Sequence, residues 1–492
     1  MLLIGKETIV NWKMLLRVVG WLLLIEGVFM AFPLVTTLLY GEPYLPFLVA
    51  IIVTISCGLL AIFCVKPKRY DMGKRDGFLL TALVWVVFSL FGMIPFMLCR
   101  SPLSFSDAFF EAMSGFTTTG ATTMLNTEVI SHGVHLWRAL MQWIGGMGII
   151  LFTLAVLPML NSSGGMQMFN AEVTGITHEK LRPRVSATAK RLWLVYFLLT
   201  LLLMALYWLG PMDGFDSLCH ALSTMSTGGF STRAESLQAW DSLYVKVVTT
   251  VFMFIGGINF ALIFRASTGQ FMAVWRNEVF KLYIGVIAVM FIVFDVAIFL
   301  NPDVPNTISS LTIDPLFQIV STLSSTGYTV ANFDGWGSFL LGAVIIMMFV
   351  GACAGSTSGG AKLDRVVLLW KNSRNELYRC IYPNHILSVD VNRNAASPEI
   401  INKVMVFIGL YIGIIIVGGA LLTICGATFE NAYFSAFACV SNSGLDAAIS
   451  QNGGAYAQIS DAGKWVLSFL MLTGRLEIFT VLVIFTPSFW RK

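Results

Sequence analysis

The sequence predicts an all-α membrane protein with ten transmembrane helices. Of its 492 residues, 57% are apolar and only 12% are charged, whereas soluble domains carry about 25% charged residues. So little charge cannot cover soluble domains of this length, which excludes an ordinary cytosolic enzyme and a disordered scaffold. Ten apolar runs approach the roughly 20 residues that a membrane-spanning helix needs. They lie near 14–39, 44–65, 77–99, 134–160, 192–211, 243–265, 281–300, 338–370, 403–425 and 464–487.

Three further features of the composition exclude other classes of protein. The net charge of +4 is too small to indicate a nucleic-acid partner. The eight cysteines stand singly, without CxxC spacing, so neither a disulfide framework nor a zinc site is indicated. The first apolar run is too long for the core of a cleavable signal peptide, which has about 7–15 residues. We therefore interpret this run as an anchored span.

Basic residues set the predicted orientation, because Lys and Arg remain on the cytoplasmic side of a membrane. They crowd the connections after spans 2, 4, 6 and 8, near 66–75, 180–191, 265–281 and 362–379. With ten spans, these connections and both termini are predicted to be cytoplasmic. The outer connections are rich in acids, which either attract cations or merely reflect the exclusion of Lys and Arg. The bases predicted outside are Arg100, Arg138, Arg233, Lys246 and Lys464.

The outer connections contain a fourfold internal repeat, with copies after spans 3, 5, 7 and 9. Each copy begins with Asp or Asn and aligns without a gap to a shared glycine. We expect the first residue to cap a half-helix, because the apolar stretch of about ten residues behind it is too short to span a bilayer. The copies run from Asp107 to Gly120, from Asp216 to Gly229, from Asp314 to Gly327 and from Asn431 to Gly444.

The repeating unit is therefore a span, a re-entrant half-helix, a Ser/Thr/Gly segment and a second span, which we abbreviate M1-P-M2. Four tandem units follow a two-helix N-terminal preface and are expected to surround a pseudo-fourfold pore. The predicted boundaries are 1–70 for the preface and 71–170, 171–272, 273–395 and 396–492 for the four units.

The glycine segments are the candidate site. Non-helical backbone is tolerated at membrane depth only where it is buried or lines water. Four such segments on one axis would give a ring of carbonyls that replaces the water shell of a monovalent cation. Glycine permits the positive φ that aims successive carbonyls the same way. Ordinary outer turns are the alternative, which four gapless copies disfavour. The predicted filter residues are Thr118, Thr119, Gly120, Thr227, Gly228, Gly229, Ser325, Thr326, Gly327, Asn442, Ser443 and Gly444.

Span 8 is interrupted by a stretch of small residues, GACAGSTSGG at 351–360. The stretch is not a phosphate-binding loop, because Ala361 stands where the Walker pattern requires Lys. We expect an unwound linker that lines the cavity and folds across the pore as a gate. Close helix packing through the glycines is the alternative. The predicted gate glycines are Gly351, Gly355, Gly359 and Gly360.

Arg475 is a charge inside span 10, and such a charge usually faces water or a partner. We expect Arg475 to act on the gate, either as an electrostatic brake or as an anchor for the 351–360 loop. Packing against an acid such as Asp295 is the alternative. Glu26 and Asp295 also lie in predicted spans and receive no role.

These residues together resemble the TrkH/TrkG/KtrB/HKT superfamily of potassium transporters, and the bacterial Trk branch most closely. The resemblance rests on SGFTTTGAT (114–122), WIGGMGII (143–150), STMSTGGFST (223–232), GACAGSTSGGAK (351–362) and GRLEIFTVLVIFTPSFW (474–490). It implies a single-glycine filter at the four repeat glycines, an intramembrane loop at 351–360 and a cavity arginine at Arg475. It also implies a homodimer and a cytosolic, TrkA-like nucleotide-binding ring, for which 161–191 and 371–402 are docking candidates.

The resemblance implies a K⁺ uptake protein of the bacterial inner membrane, with K⁺ as its substrate and no organic cofactor. The four glycines favour K⁺, whereas Asp446 in the fourth segment, SNSGLDAA, departs from the family pattern. A proton- or sodium-coupled symporter is the alternative, although inverted repeats and midplane carboxylates would then be expected. An enzyme is disfavoured, because the spans carry no HExxH or GxSxG motif.

Overall fold

The structure, a computed structural model, is predominantly helical. It describes residues 10–67, 72–124, 127–148, 185–301, 309–330, 336–385, 387–392, 394–445 and 455–491. The strands in these ranges form one short antiparallel hairpin, β1 (Asp390–Val391) and β2 (Asn394–Ala395).

Six helices in the described ranges are long and apolar enough to cross a membrane. They match predicted spans 1, 2, 3, 5, 7 and 9. Their outward faces carry large apolar side chains, such as the exposed Leu60 and Phe63, as expected of a lipid-facing surface. The helices are α1 (Trp12–Leu39), α2 (Leu45–Cys64), α3 (Lys74–Gly92) with its continuation α4 (Ile94–Leu98), α7 (Val185–Trp208), α12 (Glu278–Phe299) and α16 (Pro398–Ile424).

Predicted spans 6 and 10 are sharply bent. In the first, α9 (Leu243–Gly256) meets α10 (Phe260–Ser267) at 105°, because the Asn259 side chain accepts from Ala261 N and caps a new helix. In the second, α19 (Asp461–Arg475) meets the helical segment Phe479–Phe485 at 112°. Two non-glycine residues with positive φ, Glu477 and Ile478, end α19 there.

Predicted spans 4 and 8 are only partly helical in the described ranges. α6 (His132–Gly146) forms the first part of span 4, and the part from residue 149 onward lies outside the described residues. α14 (Ser338–Val350) and α15 (Leu363–Ile381) flank the non-helical stretch between them, which interrupts span 8 at the predicted place. The total of ten spans therefore stays a prediction.

Four short helices lie where the repeat predicts half-helices, and most of their residues are buried. At 10–12 residues each is too short to cross a bilayer. They are α5 (Phe105–Phe116), α8 (Gly214–Met225), α13 (Asp314–Leu323) and α17 (Phe429–Val440).

The predicted helix caps are wrong in all four repeats. α5 is capped by Ser104, whose side chain accepts from Asp107 N, and α8 is capped by Asp213, whose side chain accepts from Asp216 N. α5 and α8 begin earlier than predicted because the side-chain oxygen of Ser104 or Asp213 already satisfies a free N–H group of the first turn. Thr428 occupies the cap position of α17 without a side-chain bond. In the third repeat Asp314 is the first helical residue, and Ile313 occupies the cap position.

The four half-helices form a closed cycle of contacts. Each packs against spans of its own repeat and against the second span of the preceding repeat. α8 thus contacts α6, α13 contacts α9 and α17 contacts α14. The contact of α5 with α19 closes the cycle between the last repeat and the first.

Ion pairs hold the half-helices to their surroundings. Lys246 and Lys464 lie on the second spans of repeats 2 and 4, and their partners Asp314 and Asp107 lie on or beside the half-helices of the next repeats. Four of the five bases predicted outside are therefore used in ion pairs, which lowers the excess of free acid. The N–O distances are 2.8 Å for Arg138–Glu111, 3.1 Å for Arg233–Asp216, 2.8 Å for Lys246–Asp314 and 2.6 Å for Lys464–Asp107.

The remaining described elements are short connections. They are the 3-10 turns Thr127–Val129, Ser236–Trp240 and Val483–Phe485, the π turn Ser309–Ile313, and the helices α11 (Phe271–Arg276), α18 (Ala455–Gln458), α20 (Phe479–Leu482) and α21 (Pro487–Trp490).

We predict that Glu111→Gln strongly destabilises the protein. Both side chains of the Arg138–Glu111 pair are almost fully buried, and removing one partner of such a pair costs about 3–5 kcal/mol, since the other charge is left uncompensated. The thermal midpoint of the purified protein in detergent measures the effect. Glu376→Gln is the matched control, because Glu376 pairs with Arg379 in an exposed position, where a pair contributes about 0–1 kcal/mol. Equal midpoints for the two variants would contradict the prediction.

Candidate functional site

The four half-helices end in the same turn. In each, the residue before the repeat glycine donates its N–H to a carbonyl five residues earlier, and the residue before that donates to a carbonyl three residues earlier. This pair of bonds is a Schellman motif, which satisfies the free carbonyls at a helix end. The longer bonds are Thr119 N to Ser114 O (2.9 Å), Gly228 N to Ser223 O (2.9 Å), Thr326 N to Ser321 O (2.8 Å) and Ser443 N to Ala438 O (2.9 Å).

The turn places non-glycine residues in the left-handed region. Thr118, Thr227, Ser325 and Asn442 have φ values of 55°, 53°, 53° and 51°. This conformation is unfavourable for a β-branched residue and costs on the order of 1–3 kcal/mol. Residues held this way cluster at functional sites, and here they occupy the same place in all four repeats.

The repeat glycines follow two residues later, again with positive φ: 82° at Gly120, 77° at Gly229, 78° at Gly327 and 59° at Gly444. The residue between the two positive-φ positions has no positive φ. Such alternation directs successive peptide N–H groups to one side of the chain. Since each N–H and its carbonyl point in opposite directions, this pattern is the one expected for carbonyls that share a side of the chain, and their direction stays a prediction.

The four glycine segments meet in a closed ring. A Cβ atom at Gly120 would lie 2.2 Å from Gly228 O, and one at Gly229 would lie 1.9 Å from Thr326 O. The same contact joins Gly327 to Ser443 O at 2.1 Å and Gly444 to Thr119 O at 2.0 Å. Each glycine thus touches a carbonyl of the next repeat, and the fourth returns to the first. No side chain fits at these positions, so only glycine allows this approach.

The 351–360 loop packs against this ring. Gly359 N donates to Ser325 Oγ, and a Cβ atom at Gly359 would lie 2.0 Å from Ser441 O. Thr357 Oγ1 lies 3.2 Å from Thr227 Oγ1. Three of the predicted gate glycines, Gly351, Gly355 and Gly360, have φ values of 64°, 76° and 79°. The loop therefore contacts the second, third and fourth glycine segments just before their glycines.

The break between α9 and α10 holds the other side of the loop. Asn259 Nδ2 donates to Ala354 O at 2.7 Å, Cys353 N donates to Gly257 O at 3.1 Å and Phe260 N donates to Gly355 O at 3.0 Å. The sequence argument did not identify Asn259 or Thr357. An Asn that directly follows a glycine-rich span interior is a helix-start signal and could have indicated the break.

Arg475 joins the loop to the first repeat. Its Nη1 donates to Thr357 O at 2.9 Å, and its Nη2 donates to Gly145 O at 2.6 Å and Gly146 O at 2.8 Å. These bonds favour the anchor role over packing against an acid. Glu477, two residues on, forms an ion pair with Arg365 of α15 rather than with Arg475.

Three other features named from the sequence are Glu26, Asp446 and the 161–191 connection. Glu26 is fully buried in α1, and its two oxygens have no hydrogen-bond partner among the described residues. Asp446 lies outside the described residues, as does most of the 161–191 connection. In the described part of the chain, no group of three His, Cys, Asp or Glu side chains could hold a metal ion.

The apolar helices and the ring of glycine segments are those of a polytopic membrane protein. A family model described as "TrkH: Cation transport protein" matches residues 46–492, and the chain belongs to this family. The sequence-based resemblance is thereby confirmed. The family consists of transporters and not of enzymes.

Relatives cover nearly the whole chain. The Trk system potassium uptake protein TrkH of Salmonella typhimurium is 34% identical over 98% of this chain and 100% of its own. TrkG of Escherichia coli is 30% identical over 96% of this chain and 97% of its own. The crystal structure of the potassium transporter TrkH from Vibrio parahaemolyticus matches with a TM-score of 0.87 and 32% identity, over 98% of this chain and 100% of that one.

Proposed function

We propose that this protein takes up K⁺ across the bacterial inner membrane through the ring of backbone carbonyls. The observation that carries the proposal is the closed contact cycle of Gly120, Gly229, Gly327 and Gly444. The relatives are named Trk system potassium uptake proteins, and we take the identity of the ion from them. K⁺ is the substrate of this process, and the proposal needs no organic cofactor.

The ring would select the ion by replacing its hydration shell with fixed carbonyl dipoles. Each half-helix directs its C-terminal end at the ring, and that end carries about half a negative charge, which favours a cation. An inside-negative membrane potential supplies about 2.3 kcal/mol per charge per 100 mV. This energy would concentrate K⁺ in the cytoplasm without a coupled ion.

We further propose the complete M1-P-M2 architecture, with ten spans, the unit boundaries predicted above and both termini in the cytoplasm. The cyclic packing of each half-helix against the second span of the preceding repeat supports it. Four like units around one axis would pack in this way, whereas inverted repeats would not.

The gate in this proposal is the 351–360 loop, with Gly351, Gly355, Gly359 and Gly360 as its flexible points and Arg475 as its latch. The bonds of the loop to the ring and to Arg475 support this role, because an opening movement would have to break them. Positive-φ glycines permit such a rearrangement of the backbone without a side-chain penalty.

We also propose a homodimer and a cytosolic TrkA-like nucleotide-binding ring as partners. The relatives are named as members of a Trk system, which points to further components. The 371–402 region, with α15 and the β1–β2 hairpin, offers exposed bases such as Arg374 for docking.

Flux into liposomes tests the function. Purified protein should pass K⁺ whether or not a pH or Na⁺ gradient is present, since a pore needs no second ion. K⁺ uptake that requires either gradient would instead establish the coupled symporter. Addition of the cytosolic partner should then change the K⁺ flux.

We predict that Gly120→Ser lowers the preference for K⁺ over Na⁺. The new Cβ would press on Gly228 O and reorient the carbonyls of the ring. The ratio of K⁺ to Na⁺ flux in liposomes measures the change. Gly269→Ser is the matched control, because Gly269 also has a positive φ, 88°, but has open space around it. If Gly120→Ser keeps the wild-type ratio, Gly120 does not belong to the filter.

We predict that Arg475→Ala raises K⁺ flux, because the loop loses its bond from Arg475 to Thr357 O and the restraint of the positive charge. Stopped-flow uptake at equal protein loading measures the rate. Arg276→Ala, an exposed site on α11, is the control and should leave the rate unchanged. A folded Arg475→Ala protein with the wild-type rate would make Arg475 a packing residue.

A further inference from the structure

The four repeats differ at the residue before the filter glycine. This residue is Thr119, Thr326 or Ser443 in repeats 1, 3 and 4, but Gly228 in repeat 2. In the three hydroxyl-bearing repeats, its Oγ lies 2.8, 2.7 and 3.1 Å from the hydroxyl two residues earlier. In repeat 2 that earlier hydroxyl, on Ser226, keeps its bonds to main-chain carbonyls, as the matching hydroxyls do, but residue 228 offers it no hydroxyl partner. Repeat 2 therefore lacks a contact that fixes the other three segments.

A second difference lies on the second spans. Gly145, Gly256, Gly351 and Gly474 occupy matching places near the ends of α6, α9, α14 and α19. A Cβ atom at Gly145 would lie 1.8 Å from Phe116 O, and one at Gly474 would lie 2.1 Å from Val440 O. Both carbonyls belong to the last residue of a half-helix. Three residues before these glycines the chain has Met253, Met348 and Met471 in repeats 2, 3 and 4, but Gln142 in repeat 1.

The two residues that depart from the pattern of the other repeats, Gly228 and Gln142, are in contact. Gln142 is fully buried, and its Nε2 donates to Gly228 O at 2.7 Å. Its Oε1 accepts from Ser223 Oγ at 2.7 Å and from Phe230 N at 3.2 Å. Because a backbone N–H can only donate and a backbone carbonyl can only accept, these bonds fix the orientation of the amide. Gly228 O is the carbonyl that touches Gly120 in the ring.

The two exceptions also require each other sterically. A Cβ atom at Gly228 would lie 2.3 Å from Cδ of Gln142. A hydroxyl residue at 228 and Gln at 142 therefore cannot coexist in this arrangement. Repeat 2 has exchanged an internal hydroxyl contact for an amide supplied by repeat 1.

We propose that Gln142 is a positioning residue that sets the filter carbonyl of Gly228 and thereby contributes to ion selection. The inference rests on the proposed function, since it assigns Gln142 a part in selecting the ion. A carbonyl oxygen has two lone pairs, so Gly228 O accepts from Gln142 and retains one for a cation. Three polar groups of repeat 2, on Gly228, Ser223 and Phe230, depend on this one side chain.

The test combines Gln142→Met, which restores the methionine of the other repeats, with Gly228→Thr, which restores their hydroxyl residue. Gln142→Met should lower the K⁺/Na⁺ flux ratio about fivefold, the factor to which one net hydrogen bond corresponds. Gly228→Thr alone should lose most flux because of the clash with Gln142. The double variant should regain both flux and ratio. Leu140→Met, a buried change of similar volume on α6, is the control and should keep the wild-type ratio.

Thermal unfolding of the wild type, the two single variants and the double variant in detergent gives a readout that does not depend on the ion. Each single variant should lower the midpoint, and the double variant should lie above the sum of the two losses, since it removes the clash and the unpaired groups together. Additive midpoints, or a Gln142→Met protein with an unchanged flux ratio, would overturn the proposal. If the wild type itself does not prefer K⁺, the proposed function fails and the selective role with it, while the thermal cycle still decides whether Gln142 and Gly228 are coupled.

Discussion

The contact between each repeat glycine and a carbonyl of the next repeat is the constraint on which the site depends. At these distances no Cβ atom fits, so the ring closes only because all four positions are glycine. The half-helices, their Schellman ends and the ion pairs at their outer ends all hold these four contacts in place. The left-handed Thr118, Thr227, Ser325 and Asn442 show what the arrangement costs, because Thr and Ser, unlike Asn, rarely adopt this conformation without restraint.

The repeat architecture could be predicted from the sequence because it is a local pattern. Asp107, Asp216, Asp314 and Asn431 align without gaps to the four glycines, and the spacing of the half-helices follows directly. The same local reasoning misplaced the four caps. In a first turn, an acid at the third helical position and an acid at the cap are both favourable, and the sequence alone does not distinguish them. The upstream Ser104 and Asp213 were the better candidates.

The bend between α9 and α10 and the long-range contacts were not predicted in this way. The bend at Asn259 lies within an apolar run whose composition hardly changes across it, and hydropathy measures length rather than direction. The partners of Arg475 lie at Thr357, Gly145 and Gly146, more than a hundred residues away in the chain. A charged residue in a span predicts that some partner exists, but main-chain carbonyls carry no signature in a sequence. Only the fold could supply their identity.

The four glycine segments of the ring belong to one polypeptide, and they therefore need not be identical. In a pore of four identical subunits, one substitution changes all four sides of the pore at once. Here Gly228 and Gln142 stand where the other three repeats have Thr or Ser and Met, so an ion bound as we propose would meet ligands of unlike stiffness on its different sides. In such a chain, substitutions can change one repeat at a time. A paired change in two neighbouring repeats then leaves the geometry of the other two intact.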